Sequence, residues 1–250
     1  MQARIPVDGP LISLPVLDGL GVVRHVFTTR REGLGARNSG IRTPEDWQEI
    51  AQVFGIAPRQ VVTVHQVHGD DIVAVTRNNA ADMRVRQADG LVTAEPDIVI
   101  GVETADCVPL LLVDPLVPAV AAVHAGWRGT VKGIAAKALR RMQHEYGTDP
   151  SRVIAAFGPA IGPECYEVDE PVMGPMREAF PFWKEAASSR GNLRWSLDLV
   201  KTNRLALMRA GVREQNIHSL GLCTSCRRDL FYSYRAEGRT GRMLSAIMIK

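Results

Sequence analysis

Lysine is scarce in this sequence. Only residues 132, 137, 184, 201 and 250 are Lys, and Arg supplies the rest of the 30 basic positions. The basic residues are scattered and the net charge is only +3, so the stripe of cations that a nucleic-acid binder lays along a phosphate backbone is missing. Cysteine is equally sparse, at positions 107, 165, 223 and 226, too few for a disulfide scaffold in a chain of 250 residues. No apolar run approaches the roughly 20 residues of a membrane helix, because Asp, Pro or Gly interrupts each one, and neither a membrane nor a nucleic acid is expected as a partner. The opening MQARIPVDGPLISLPVLDG has no charged-then-apolar leader pattern, which favours a cytoplasmic location. There is no internal repeat, no low-complexity tract and no linker rich in Pro or Ser, so a single domain over 1–250 is expected.

The sequence does have material for a core. Apolar residues make up 46% and charged residues 23%, the balance of an ordinary globular protein. Short β-rich runs bounded by Gly, Pro and Asp occur at 22–29, 60–67, 71–76, 97–104, 107–114, 118–125, 152–159, 216–222 and 243–250. Helical spacing is clearest from Val131 to Tyr146, with Thr130 as N-cap and Gly147 as the stop, and further helices are expected at 45–55, 169–180 and 197–211. The polar stretch 77–90 reads as a surface loop. Strands outnumber helices and do not alternate with them, so the expected class is α+β, a sandwich of mixed sheets with flanking helices.

His68 stands before Gly69, His124 before Gly126, and Cys107 opens an apolar strand. Strand ends beside glycines let backbone approach a ligand and side chains converge. Two His and one Cys suit Zn²⁺ and leave its fourth position for water or substrate, while the spacing alone does not establish a site and agrees better with buried structural His and an inert Cys. Asp70, Glu103 and Asp106 are the acidic neighbours available to orient a His or move a proton. His65 is a further polar candidate for the lining. Arg favours bidentate anionic partners, so a small anionic substrate stays open. Cys223 and Cys226, in CTSC, read as structural thiols because no second ligand pair lies nearby in sequence.

The segments QVHGD, ETADCVPLLLVD, AAVHAGWRGT, GPAIGPECYEVD and CTSCRRDLFYSYRAEGRTGRMLSAIMIK resemble, in order, the bacterial YfiH family of laccase-domain proteins, regarded as purine nucleoside phosphorylases. The resemblance runs from about Thr28 to the C-terminus. It implies a zinc ion on His68, Cys107 and His124, and an α+β sandwich. It also implies phosphorolysis of adenosine, inosine, guanosine and 5′-methylthioadenosine to the free base and ribose 1-phosphate, with deamination of adenosine, the catalytic groups being Cys107 and His124. Arg30 and Arg128 are the expected phosphate-positioning residues, Arg128 beside a helix start near Val131. The segment TTRREGLGARNSG keeps Thr28, Thr29, Arg30 and Asn38 but departs from the family's TTRxGGxS…NLG pattern. Three alternatives stand beside this reading: a cysteine hydrolase using Cys107 with His124 as base, a copper-dependent polyphenol oxidase, and a non-catalytic role in cell-wall precursor fidelity. Six dispersed His argue against a multicopper centre, although Cu²⁺ competes with zinc at such ligands.

Overall fold

The strand Val108–Asp114 is buried along its whole length, and the layering of the molecule follows from its two faces. The computed structural model describes residues 9–31 and 42–250; the expected loop around Asn38 lies outside them. Successive side chains on a strand point to opposite faces. Leu110 and Leu112 therefore join a core with the helices Ile134–Tyr146, Glu170–Ala179 and Leu199–Arg209, while Leu111 and Val113 join a second core with Phe27, Val62, Ile100, Val102 and Ile247 from another sheet. Burying each such aliphatic side chain contributes about 1.5–3 kcal/mol, and a strand covered on both sides reads as the continuous apolar run seen in the sequence.

Two mixed sheets thus pack face to face. One has the order Leu11–Ile12, Val23–Thr28, Met243–Ile249, Val99–Thr104, Val61–Val62; the other has Ile217–Ser219, Ile154–Phe157, Val108–Asp114, Ala119–Ala125, Gly90–Thr93, Ile72–Ala74. The outer face of the first is covered by the helix Pro44–Phe54 through Ile50, Ala51 and Phe54. A small third sheet joins Glu167–Val168, Arg194–Leu197 and Ala187–Gly191. This is the α+β sandwich of mixed sheets that the sequence led us to expect. No helix among the described residues is long and apolar enough to cross a membrane.

Two local expectations are corrected. The helix expected to start at Val131 is two helices, Trp127–Val131 and Ile134–Tyr146, broken where Gly133 adopts φ 74°. That left-handed conformation is open to glycine at little cost. Thr130 is no cap: its hydroxyl is buried and accepts a hydrogen bond from Asn203 Nδ2 at 2.9 Å. The stretch 77–90 is not wholly a surface loop either. It carries a 3₁₀ turn over Ala80–Val85 and then dives inward, with Ala88, Asp89 and Gly90 buried, into the unexpected strand Gly90–Thr93, which pairs with both Ala119–Ala125 and Ile72–Ala74.

His25 sits in the first sheet with its side chain wholly buried, and its Nε2 accepts the backbone N–H of Leu14 at 2.8 Å. Protonation would place a second hydrogen against that donor. Burial accordingly lowers the imidazole pKa to about 4, against a smaller opposing pull from Asp18. The unfolded chain then binds the extra proton first, so stability is complete above the unfolded value of about 6.5 and falls as pH drops towards 4. The shift amounts to about 3 kcal/mol by pH 4. Melting curves of wild type and His25→Gln between pH 7 and pH 4 are expected to show the wild type losing this increment and the variant, less stable at pH 7, losing less. Parallel curves would exclude His25 as the source.

Candidate metal centre

Asp89 organises the site. Its carboxylate, fully buried, accepts the backbone N–H groups of Val67 at 3.2 Å, His68 at 3.0 Å and Gly69 at 2.6 Å. These bonds hold the 67–69 loop in a tight turn and keep His68 at φ 57°, a conformation that costs a non-glycine residue energy unless its surroundings impose it. The same carboxylate lies 2.7 Å from Nδ1 of His124. An ionised carboxylate only accepts, so Nδ1 carries the proton and Nε2 keeps its lone pair, the tautomer a metal ligand needs. Burial tends to raise the Asp89 pKa, but the hydrogen bond and charge of His124, together with the loop amides, hold it below the usual carboxylate range.

Three elements deliver the ligand side chains: the 67–69 loop, the start of the strand Val108–Asp114, and the end of Ala119–Ala125, where Pro109 pairs with His124 in register. The ligand atoms of His68, Cys107 and His124 all lie within 4.8 Å of one another, with His68 exposed, Cys107 half-buried and His124 buried. The two imidazoles meet edge to face at 4.8 Å between centroids. Gly126 leaves room for them. A Cβ there would stand 3.1 Å from Cys107 Sγ and 3.2 Å from His68 Cδ2, closer than the sulfur tolerates without moving. Just before Cys107, Asp106 is held at φ 89° by bonds from Thr224 Oγ1 and the Arg235 N–H, both 2.6 Å, to its carboxylate.

The electrostatics favour an ionised thiol. Burial pushes Cys107 up, but the charge of His124 and hydrogen bonds with both imidazoles outweigh it, and the net shift is downward. His124 moves the other way: burial lowers it, while the Cys107 thiolate and the Asp89 carboxylate raise it further than burial takes it down. In the metal-free site this pairs a thiolate with an imidazolium; a zinc ion there would displace the Nε2 proton of His124, and the thiolate with two imidazoles is then the donor set of a three-ligand zinc site. Those residues fit the metal.

The acidic neighbours named from sequence have other duties. Asp70 is paired with Lys132 and Lys137, and the Lys137 hydrogen bond chiefly holds its carboxyl below the usual range. Glu103 accepts from Arg42 Nε at 2.6 Å, and Asp106 serves the backbone as described. The orienting carboxylate, Asp89, escaped the sequence reading because it closes a polar stretch. Its signal would have been the apolar run that begins directly after it.

The centre opens into a cleft of about 840 Å³, whose walls include His65, Trp47, Tyr166 and Tyr234. Arg30 and Arg128 are not among the lining residues. Arg30 donates to Glu237 Oε1 at 2.7 Å and to two backbone carbonyls, which spends its charge on tying down the 228–237 segment. Arg128 lies over the Trp127 ring, 4.4 Å from its centroid. The cations that do line the cleft are Arg42, Arg84, Arg235 and Arg242. Arg84, Arg235 and Arg242 have no carboxylate within ion-pair distance among the described residues. Burial is the main influence on Tyr166 and pushes its hydroxyl up to about 12, so it is a proton-bearing donor at neutral pH.

A sheet sandwich with a His–Cys–His centre at the mouth of a basic cleft defines the class of protein. Residues 21–250 match the family described as multi-copper polyphenol oxidoreductase laccase, and the chain belongs to that family. It is 34% identical over 238 residues to "Purine nucleoside phosphorylase YlmD" of Bacillus subtilis (strain 168), covering 92% of this chain and 85% of that protein. It is 35% identical over 263 residues to "Adenosine deaminase RL5" from an unknown prokaryotic organism, covering 96% of this chain and all of that one. The crystal structure of the Bacillus licheniformis hypothetical protein YfiH superposes with a TM-score of 0.89 at 31% identity, covering 99% of both chains. Despite the family's copper-based description, no third imidazole joins His68 and His124 in a ligand group among the described residues.

Proposed function

We propose that this chain is a zinc-dependent purine nucleoside phosphorylase with adenosine deaminase activity, releasing the free base and ribose 1-phosphate from adenosine, inosine, guanosine and 5′-methylthioadenosine. The observation that carries the reading is the convergence of His68, Cys107 and His124 on a cleft lined by Arg84, Arg235 and Arg242. Relatives named for both activities support it. Zinc held by the three ligands would supply Lewis acidity and a means of activating water at neutral pH. The arginines bind phosphate, whose charge they balance and whose oxygens their planar groups match. In phosphorolysis a phosphate oxygen bonds to C1′ as the C1′–N9 bond breaks and the electron pair leaves with the base. Positive charge growing on the ribose is then met by the bound phosphate itself. Tyr166 and Tyr234 offer faces for the purine ring, and Tyr166 can donate a proton-bearing hydroxyl to it. The single-domain organisation and a cytoplasmic location are part of the same proposal.

Release of hypoxanthine from inosine is expected to require both phosphate and a chelatable metal. Arg242→Ala is expected to raise the KM for phosphate about 10- to 100-fold, the worth of one charged hydrogen bond, with a smaller change in kcat. Base release indifferent to phosphate would remove the phosphorolytic assignment.

A second reading has one observation behind it. Asp89, His124 and Cys107 form a line in which a carboxylate orients an imidazole that hydrogen-bonds a thiol, the arrangement of a cysteine nucleophile and its base. Chelation separates the two: the hydrolase keeps its activity when metal is stripped.

A further inference from the structure

The described residues contain a second cluster with metal-ligand chemistry, on the other side of the Asp106 turn from the centre above. Cys165 comes from the loop after the strand Ile154–Phe157, and Cys223 and Cys226 come from the turn after Ile217–Ser219. Their three sulfurs lie within 4.8 Å of one another, with Cys165 and Cys226 only 3.4 Å apart. None is in a disulfide. From sequence, CTSC lacked partners; the fold provides the third.

The cluster is built around one charge. The N–H of Gly162 donates to Cys223 Sγ at 3.2 Å, and the backbone amides of Cys226 and Ser225 add to the pull that favours its thiolate. Amide donors on sulfur stabilise a thiolate, so the Cys223 thiol lies below its ordinary value although burial opposes this. Hydrogen bonds with Cys165 and Cys223 push the neighbouring Cys226 thiol up to about 12. Three sulfurs this close cannot all ionise without a cation between them. Cys165 and Cys223 are half-buried and Cys226 is exposed, which leaves one side of the cluster open to solvent.

We propose that Cys165, Cys223 and Cys226 bind one soft, closed-shell cation, Zn²⁺ or Cu⁺, through three thiolates, with solvent completing the coordination of Zn²⁺ on the Cys226 side. Thiolates select these ions over harder ones, and a zinc–sulfur bond of about 2.3 Å is within reach of this cluster. Binding displaces the thiol protons that the cluster carries in the absence of metal. The ion would cross-link the loop that reaches the cleft at Tyr166 to the turn at 223–226. Cys165 precedes the cleft residue Tyr166, and Cys223 precedes Thr224, whose hydroxyl holds Asp106 beside Cys107.

The test uses the full chain, purified and kept under anaerobic, reducing conditions, in a Cys107→Ser background that removes a ligand from the first centre. Co²⁺, as a reporter for Zn²⁺, and Cu⁺ are titrated separately. One equivalent of at least one of them is expected to bind, Co²⁺ with a thiolate-to-metal charge-transfer band. Adding Cys226→Ser, at an exposed position, is expected to lower that affinity by about 100-fold or more, since loss of a ligand exceeds the 10- to 100-fold effect of losing an outer partner. Native mass spectrometry of the metal-loaded wild type is expected to give two ions per chain, and of Cys226→Ser alone, one. Failure to bind either ion, binding unchanged by Cys226→Ser, or a Cys165–Cys226 disulfide that persists under reductant and blocks uptake would each overturn the proposal.

Discussion

Cys107→Ala protein is expected to be folded, free of zinc, and inactive both in releasing base from inosine with phosphate and in deaminating adenosine. Cys107 is half-buried at the start of Val108–Asp114, so alanine leaves the sheet register and both cores in place. The melting temperature should move by only a few degrees, in line with about 1 kcal/mol. What disappears is the one anionic ligand of the three. Affinity for zinc should drop by more than the 10- to 100-fold typical of an outer partner, because the two remaining imidazoles are neutral donors. Cys107→Asp, which restores a negative ligand, is expected to regain part of the bound zinc. The cysteine-hydrolase reading also gives an inactive alanine variant, so the deciding measurement is metal content alongside turnover. A folded Cys107→Ala protein with stoichiometric zinc and full adenosine turnover would refute the metal assignment.

The second large effect is expected at a residue that touches no ligand of the metal except through hydrogen bonds. In Asp89→Asn, the amide keeps one accepting oxygen and gains two donors in a pocket that offers only donors: three loop amides and the Nδ1 hydrogen of His124. If the oxygen faces the loop, the amide hydrogens face His124 and force its proton to Nε2, the nitrogen needed for the metal. If the oxygen faces His124, the loop that carries His68 loses its anchor. Either arrangement is expected to weaken zinc binding about 10- to 100-fold and to cost about 2–3 kcal/mol through unmatched buried donors. Zinc competition against a chromophoric chelator measures the first, and denaturant unfolding of the metal-free protein measures the second. Unchanged zinc affinity would mean that Asp89 does not set the His124 tautomer.

What sequence could and could not show depends on whether the cause was local. The run PLLLV announces a strand because both of its faces are covered, and Ile134, Ala138, Leu139 and Met142 announce a helix because one face is. Cys107 and His124 were legible as strand-end residues and all three through their resemblance to family motifs, although the strand expected over 60–67 is confined to Val61–Val62 and His68 stands in a loop beyond it. Asp89 was not legible, because its burial comes from the pairing of Gly90 with Val123, 33 residues further along the chain. Cys165 and the CTSC turn are 61 residues apart for the closest pair of sulfurs, and no spacing rule connects them. The cleft arginines come from separate segments of a chain rich in arginine, so charge composition alone had no means to prefer Arg84, Arg235 and Arg242 over Arg30 and Arg128. That choice is made by the fold, which ties Arg30 to Glu237, lays Arg128 over the Trp127 ring and leaves Arg84, Arg235 and Arg242 lining the cleft.

The place of Met243–Ile249 in the middle of its sheet, between Val23–Thr28 and Val99–Thr104, has a bearing on how the chain is made. During synthesis on the ribosome those two flanking strands emerge long before the one that joins them. Until residues 243–249 leave the exit tunnel, the nascent chain carries two unmated strand edges beside an open apolar face, the state most prone to sticking to its neighbours. The first sheet therefore closes only after that late segment appears, and chaperones that shield apolar surface have their longest working interval on this half of the molecule.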